Sequence, residues 1–112
     1  MVNRGVLEHY RDLLPVTEAT PSISLGEGNT PLVRSRYIGP QIGCDDLYFK
    51  LEGCNPTGSF KARGLSAAVS KARELGQKRL TLPSAGNAAG ALAAYCARGS
   101  MEAHVFMPRD AP

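Results

Sequence analysis

The sequence predicts an α/β fold, a parallel sheet with flanking helices, and three observations predict it. Strand-like and helix-like segments alternate at short intervals from residue 47 to residue 107. One of the helical segments is rich in alanine and glycine, which lets a helix lie close against a sheet. The composition, 43% hydrophobic and 21% charged, is that of an ordinary soluble domain able to bury a modest core.

Taken in order, residues 6–14 (VLEHYRDLL) space Val6, Leu7, Tyr10, Leu13 and Leu14 as a helix does, and Pro15 ends it. Residues 15–31 hold three prolines and the run Gly26-Glu27-Gly28-Asn29, so they form a loop. A short strand is expected over Leu32–Arg34, then another Gly/Pro-rich loop. Residues 47–51 (LYFKL) alternate as a strand, with Leu47, Phe49 and Leu51 on one face. A helix follows, capped by Thr57 or Ser59, with Leu65, Ala68, Val69, Ala72 and Leu75 as its apolar stripe. Lys71 and Arg73 suit its last turn and Gly76 its stop. Arg79–Pro83 reads as a strand, 84–86 as a tight loop, Asn87–Arg98 as the small-residue helix ended by Gly99, and 103–107 as a last strand broken by Pro108.

Several function classes are excluded. A net charge of +3 with scattered basic residues, four tyrosines and three phenylalanines makes no nucleic-acid surface. Three cysteines, Cys44, Cys54 and Cys96, without CxxC spacing make neither a disulfide framework nor a zinc site, so no metal is expected. The first residues lack an apolar signal core, and no apolar run approaches the roughly 20 residues of a membrane span. A cytoplasmic protein without a membrane partner is the default.

The densest chemical signal is Glu52-Gly53-Cys54-Asn55-Pro56-Thr57-Gly58-Ser59-Phe60-Lys61, which runs from a strand end through a Gly/Pro loop into a helix. In open α/β sheets ligands bind on that side. Gly53 and Gly58 have phosphate-loop spacing, but Ser-Phe-Lys follows where that loop needs Lys-Ser/Thr, so the ATPase reading fails. An imine-forming lysine remains. Lys61 falls in a first helical turn, where the positive end of the helix opposes an ammonium by about 0.3–1 kcal/mol. That penalises an ordinary surface lysine and favours a nucleophilic one, and Arg63 adds a like charge. Ser84-Ala85-Gly86-Asn87 is a second strand-to-helix turn, suited to a carboxylate or phosphate. Asn87 can cap its helix or bind a ligand oxygen. The two turns are expected side by side on one sheet edge. Cys54 has no paired histidine, Cys96 suits a buried small hydrophobe, His104 sits in a strand, and His9 lies on an exposed helical face.

Asn-Pro-Thr-Gly-Ser-Phe-Lys at 55–61 after Lys50-Leu51-Glu52 resembles the cofactor-lysine motif of the tryptophan-synthase-β-like pyridoxal-phosphate enzymes, the threonine synthases in particular. Ser84-Ala85-Gly86-Asn87 is similar to their asparagine loop. The upstream LGEGNTPL at 25–32, the YRDLLP at 10–15 and the HVFMP at 104–108 fit in the same order. The resemblance implies pyridoxal 5′-phosphate as cofactor and a small-molecule amino-acid substrate. The reaction it implies turns O-phosphohomoserine and water into threonine and phosphate. It further implies Lys61 as the amine that holds the cofactor and moves protons, and Asn87 as the partner of the pyridoxal 3′-oxygen. Ser84, Ala85 and Gly86 become donors to the substrate carboxylate. A homo-oligomer is compatible with it for a full-length form. Ala62 stands where many relatives carry aspartate. The family's glycine-rich phosphate cup and the hydroxyl residue facing the pyridine nitrogen have no counterpart here. Residues 1–112 are therefore expected to be a truncated N-terminal portion, inactive alone. Rival readings are a threonine dehydratase, a cysteine synthase, or a non-catalytic truncated product.

Overall fold

A computed structural model gives the fold of residues 4–111. Residues 1–3, where the lead-in without a signal core was read, and Pro112, where the chain stops, lie outside the described residues. The order is α1 (Gly5–His9), β1 (Leu32–Arg34), α2 (Ile38–Gln41), β2 (Tyr48–Lys50), α3 (Lys61–Glu74), β3 (Arg79–Pro83), α4 (Asn87–Arg98) and β4 (Glu102–Phe106), with single 3₁₀ turns at Arg11–Leu13 and Glu52–Cys54.

The α/β class stands. β3 and β4 pair in parallel, Arg79 opposite Glu102 through Pro83 opposite Phe106, with α4 as their crossover. Leu80, Leu82, Ala103 and Val105 face the helices, and their alternating neighbours face outward. The strand over 47–51 does not join this sheet. β2 pairs antiparallel with β1, Val33 opposite Phe49, in a separate two-stranded ladder. The segment between them is long enough to turn back, and it carries the short helix α2 rather than an unbroken loop. The expected helix over 6–14 is also divided, with a break at Tyr10.

The core lies between α3, α4 and the parallel pair, around Ile23, Ala62, Val69, Ala91, Leu92, Tyr95, Cys96 and Met101. Burial pushes the Cys96 thiol up. On α3 the buried face is Ala62, Ser66, Val69 and Ser70, whereas Ala68 and Leu75 of the expected stripe are exposed. Two serines belong there because each serves the buried loop strand beside it. Ile23 N–H donates to Ser70 Oγ at 3.0 Å, and the Ser66 hydroxyl shares its proton between Ile23 O and Glu27 Oε1, both at 2.9 Å.

Glu27 is fully buried, and the chain converges on it. Val6 N–H donates to Oε1 at 3.0 Å, while Oε2 receives Leu25 N–H at 3.1 Å, Ser24 Oγ–H at 3.0 Å and Tyr95 O–H at 2.8 Å. Burial works against its charge. The donors from Tyr95, the backbone and Ser66 outweigh that and hold the carboxyl below its usual range. Burial and the facing carboxylate push the Tyr95 hydroxyl up. Gly5 makes this approach possible. Its φ is +84°, and a Cβ there would sit 2.1 Å from Ser24 Oγ and 2.5 Å from Glu27 Oε1.

Replacing Tyr95 with phenylalanine should cost about 1.5–3 kcal/mol, the range for a hydrogen bond to a charged group. Urea denaturation at neutral pH measures it. Because folded Glu27 titrates below its ordinary 4.5, its contribution is complete above about pH 4.5 and drains away as the pH falls through the folded value. The gap between Tyr95→Phe and the parent should therefore narrow in acid.

Candidate functional site

The loop from Glu52 to Phe60 is fixed by side chains more than by secondary structure. Arg63, one helical step beyond Lys61, reaches back to Glu52 in a two-pronged ion pair, Nε to Oε2 at 2.7 Å and Nη2 to Oε1 at 2.8 Å. Thr30 donates to the same Oε1 at 2.7 Å. Asn55 is buried and serves both sides of the loop. Its amide donates to Glu52 O at 2.8 Å and Oε2 at 3.1 Å, and its carbonyl accepts Gly28 N–H at 3.0 Å. Lys50 Nζ donates to Thr30 O at 2.6 Å. The Arg63 guanidinium, then Thr30, pull the Glu52 carboxyl down to about 2, and Glu52 raises Arg63 in return. Arg63 is thus a fastener engaged by Glu52, not the like charge pressing on Lys61 that its sequence position suggested. The sequence signal for Glu52 was its place at the strand end, but nothing linear pairs it with Arg63.

Gly58 completes the loop with φ +71°, a left-handed position that disfavours any side chain. Lys61 is the first residue of α3, half-buried, with its N–H on Ser59 Oγ at 3.2 Å and its Nζ 4.6 Å from the Phe60 ring centroid. Phe60, not Thr57 or Ser59, is the N-cap of α3, and no side chain caps it; Ser59 accepts the Lys61 N–H from one residue before the cap. Thr57 does not, and its Oγ1 is buried without a partner among the described residues.

At the second turn Gly86, not Asn87, is the N-cap, and no side chain caps α4. Ser84 Oγ accepts Gly86 N–H at 3.2 Å, leaving its own proton to donate elsewhere. Ala85, Gly86 and Asn87 are exposed. Asn87 carries no side-chain hydrogen bond among the described residues, so its carboxamide is available to a ligand.

α3 packs on α4. Ser66 and Tyr95 meet at Glu27. One helical turn on, Ser70 binds Ile23 N–H, and Ile23 Cδ1 lies 2.7 Å from where a Cβ on Gly99 would stand. One turn back, Ala62 and Ala91 are both fully buried in the same cluster. The pairs advance together, 62 with 91, 66 with 95, 70 with 99, so the helices run parallel. The two turns open the two helices that pack on each other, and no common sheet joins them.

A pyridoxal-type cofactor needs an amine, a hydrogen-bonding amide and anion donors at one place. Lys61, Asn87 and the open N–H groups of a helix start supply them, so the residues present fit the group. A separate cleft of about 670 Å³, lined among others by Tyr10, Asn29, Lys50 and Arg63, does not include Lys61 or Asn87. Among the described residues no group of three or more His, Cys, Asp and Glu is placed to hold a metal ion. Cys54 is exposed, and His104 lies on the outer strand face 3.4 Å from Glu102. No helix among the described residues is long and apolar enough to cross a membrane.

Residues 23–112 match the family described as Pyridoxal-phosphate dependent enzyme. Curated relatives named threonine synthase are similar over most of the chain. That of Synechocystis sp. is 47% identical over 106 residues, 94% of this chain and 28% of its own length. That of Halalkalibacterium halodurans is 48% identical over 105 residues, 94% and 29%. That of Methanocaldococcus jannaschii is 43% identical over 99 residues, 88% and 24%. The chain thus spans less than a third of the length of these relatives.

The Glu52–Arg63 fastener predicts a carboxyl titration by carbon NMR with a Glu52 midpoint near 2. Arg63→Met should return that midpoint toward 4.5 and speed amide exchange in the 55–61 loop by tenfold or more.

Proposed function

Because this chain belongs to the pyridoxal-phosphate dependent enzyme family, we propose that it carries the cofactor-lysine half of a threonine synthase, acting on O-phosphohomoserine and water to give threonine and phosphate. The observation that supports this reading is that Lys61 opens α3 and Asn87 opens α4, two helices packed on each other around Glu27. The similarity to relatives named threonine synthase, at 43–48% identity in the three described, supports the choice within the family. The resemblance of LGEGNTPL and EGCNPTGSFK to the same group favours it over a dehydratase or a cysteine synthase.

Bound pyridoxal phosphate supplies an electron sink for the carbanions of the reaction. The chain's own residues bind, orient and move protons. Lys61 holds the cofactor through its amine and, once released, accepts and returns protons at Nζ. Its helix is anchored by Arg63, so the amine is delivered from a fixed base while its own stem stays mobile. Asn87 donates its amide to the ring 3′-oxygen. Ser84 Oγ–H and the Ala85 N–H receive the substrate carboxylate at the start of α4, joined by the Gly86 N–H once it leaves Ser84 Oγ, and the helix dipole adds to them. Such a protein works in the cytoplasm on a small amino-acid substrate.

The test is chemical trapping. Incubation with pyridoxal phosphate, borohydride reduction and peptide mapping should put the pyridoxyl group on Lys61, and Lys61→Ala should remove it. A label spread evenly over Lys50, Lys71 and Lys78 overturns the assignment. Asn87→Ala should weaken cofactor retention about tenfold, the loss of one good hydrogen bond. Substrate choice is decided in a protein that also contains the remainder found in the relatives, by comparing O-phosphohomoserine with threonine and O-acetylserine.

A further inference from the structure

The cleft that holds neither Lys61 nor Asn87 lies between α1, the segment at 27–29 and the end of β2. Its volume of about 670 Å³ is that of a small-molecule site. Arg4, Lys50 and Arg63 bring three cationic side chains to it from three separate parts of the chain. Tyr10 and Asn29 add a phenol and a carboxamide, and His9 lines the same wall, edge-on to Tyr10 with ring centroids 4.5 Å apart.

Two carboxylates share the cleft, and both are already answered. Glu8 pairs with Arg11 at 3.0 Å. Glu27 accepts from Val6, Ser24, Leu25, Ser66 and Tyr95. The cations are not answered in the same way. Arg4 and Lys50 enter no ion pair among the described residues. Lys50 Nζ gives one proton to Thr30 O at 2.6 Å and keeps two.

Arg63 is the most telling of the three. Its Nε and Nη2 are committed to Glu52 and Thr30, while Nη1 carries no hydrogen bond among the described residues. The place of Nη1 is defined, because it and Val6 Cγ2 each lie 3.3 Å from where a Cβ on Gly28 would stand. A half-buried guanidinium, clamped on one side by Glu52, therefore turns an unbonded edge toward α1. A donor fixed in advance loses little freedom when a ligand takes it.

We infer that this cleft binds a phosphate-type dianion, free or as the head of a small ester, between Arg4, Lys50 and the Nη1 edge of Arg63. Tyr10 O–H and the Asn29 amide are further donors. Cations arriving from three directions suit a tetrahedral group with several outward oxygens, whereas a planar carboxylate matches a single fork. The site is separate from the 84–87 turn, and the inference rests neither on the role of Lys61 nor on any substrate.

The experiment titrates the 112-residue chain with inorganic phosphate at pH 8 and 0.1 M sodium chloride, a salt level that screens loose surface attraction, and follows it by nitrogen NMR. Amides at 4–10, 28–30 and 50 and the Arg63 side chain should shift and saturate together. Acetate should bind at least tenfold more weakly. Glycerol 3-phosphate, run in parallel, tells an ester from free phosphate by which of the two saturates at the lower concentration. Arg4→Gln and Lys50→Gln should each weaken binding about tenfold, the loss of one charge-assisted hydrogen bond. Arg4 makes no side-chain hydrogen bond among the described residues, so its variant tests the site without disturbing the fold. Arg79→Gln, on the outer face of β3, should change nothing, and Lys61→Ala should bind phosphate as the parent does. The inference is overturned if the shifts rise linearly without saturating, if they map to 84–87 instead, if acetate binds as well as phosphate, or if Arg4→Gln keeps full affinity.

Discussion

Everything that positions the site depends on one buried carboxylate. An ion taken out of water costs several kcal/mol unless its lone pairs are met, and Glu27 is met from four segments at once. α1 supplies the Val6 N–H, the loop supplies Ser24 and Leu25, α3 supplies Ser66 and α4 supplies Tyr95. These donors have little reason to converge in an apolar core except to serve that charge. Its desolvation makes the arrangement all-or-none, because withdrawing one donor leaves the others holding an undersolvated ion. The contact of α3 with α4 at Ser66 and Tyr95 is fixed as a by-product.

The same stretch of chain carries this constraint outward. Residue 27 is inside the core, and three residues later Thr30 is at the Glu52 carboxylate. Gly28 N–H, between them, is held by Asn55. The loop that ends in Lys61 is therefore tied at its first residue and its middle to a segment already pinned by Glu27, and through Arg63 to the helix that follows. Salt bridges at a surface contribute little. This one is planar, two-pronged and half-buried, with Thr30 and Asn55 filling the remaining acceptor sites, so it holds the loop's shape.

Periodicity and punctuation made the central elements legible. β3 and α4 begin and end where Pro83, Asn87 and Gly99 place them, and α3 stops before Gly76, whose φ is +77°. The position of the candidate residues was legible too, because Lys61 and Asn87 open α3 and α4 where the preceding Gly-containing turns end. Contacts between polar groups distant in sequence were not legible. Ser66 and Ser70 look like the wet side of a helix until Ile23 and Glu27 are known to face them, and a hydrophobic stripe drawn without them shifts to Ala68 and Leu75. The antiparallel pairing of β2 was hidden for another reason. Three-residue strands carry too little pattern to declare a partner, and alternation reads the same in either sheet.

Division of labour between the two helices follows from their composition. α4 buries Ala89, Ala91, Leu92, Tyr95 and Cys96, mostly small side chains, so it can lie close to both α3 and the parallel pair, and its first turn presents backbone with few side chains in the way. α3 carries the amine and its fastener, Lys61 and Arg63, within the first turn of a longer, more polar helix. The two helix starts therefore differ in kind: that of α3 is braced through Arg63 to Glu52, whereas that of α4 leaves Ala85, Gly86 and Asn87 exposed with no side chain capping the helix.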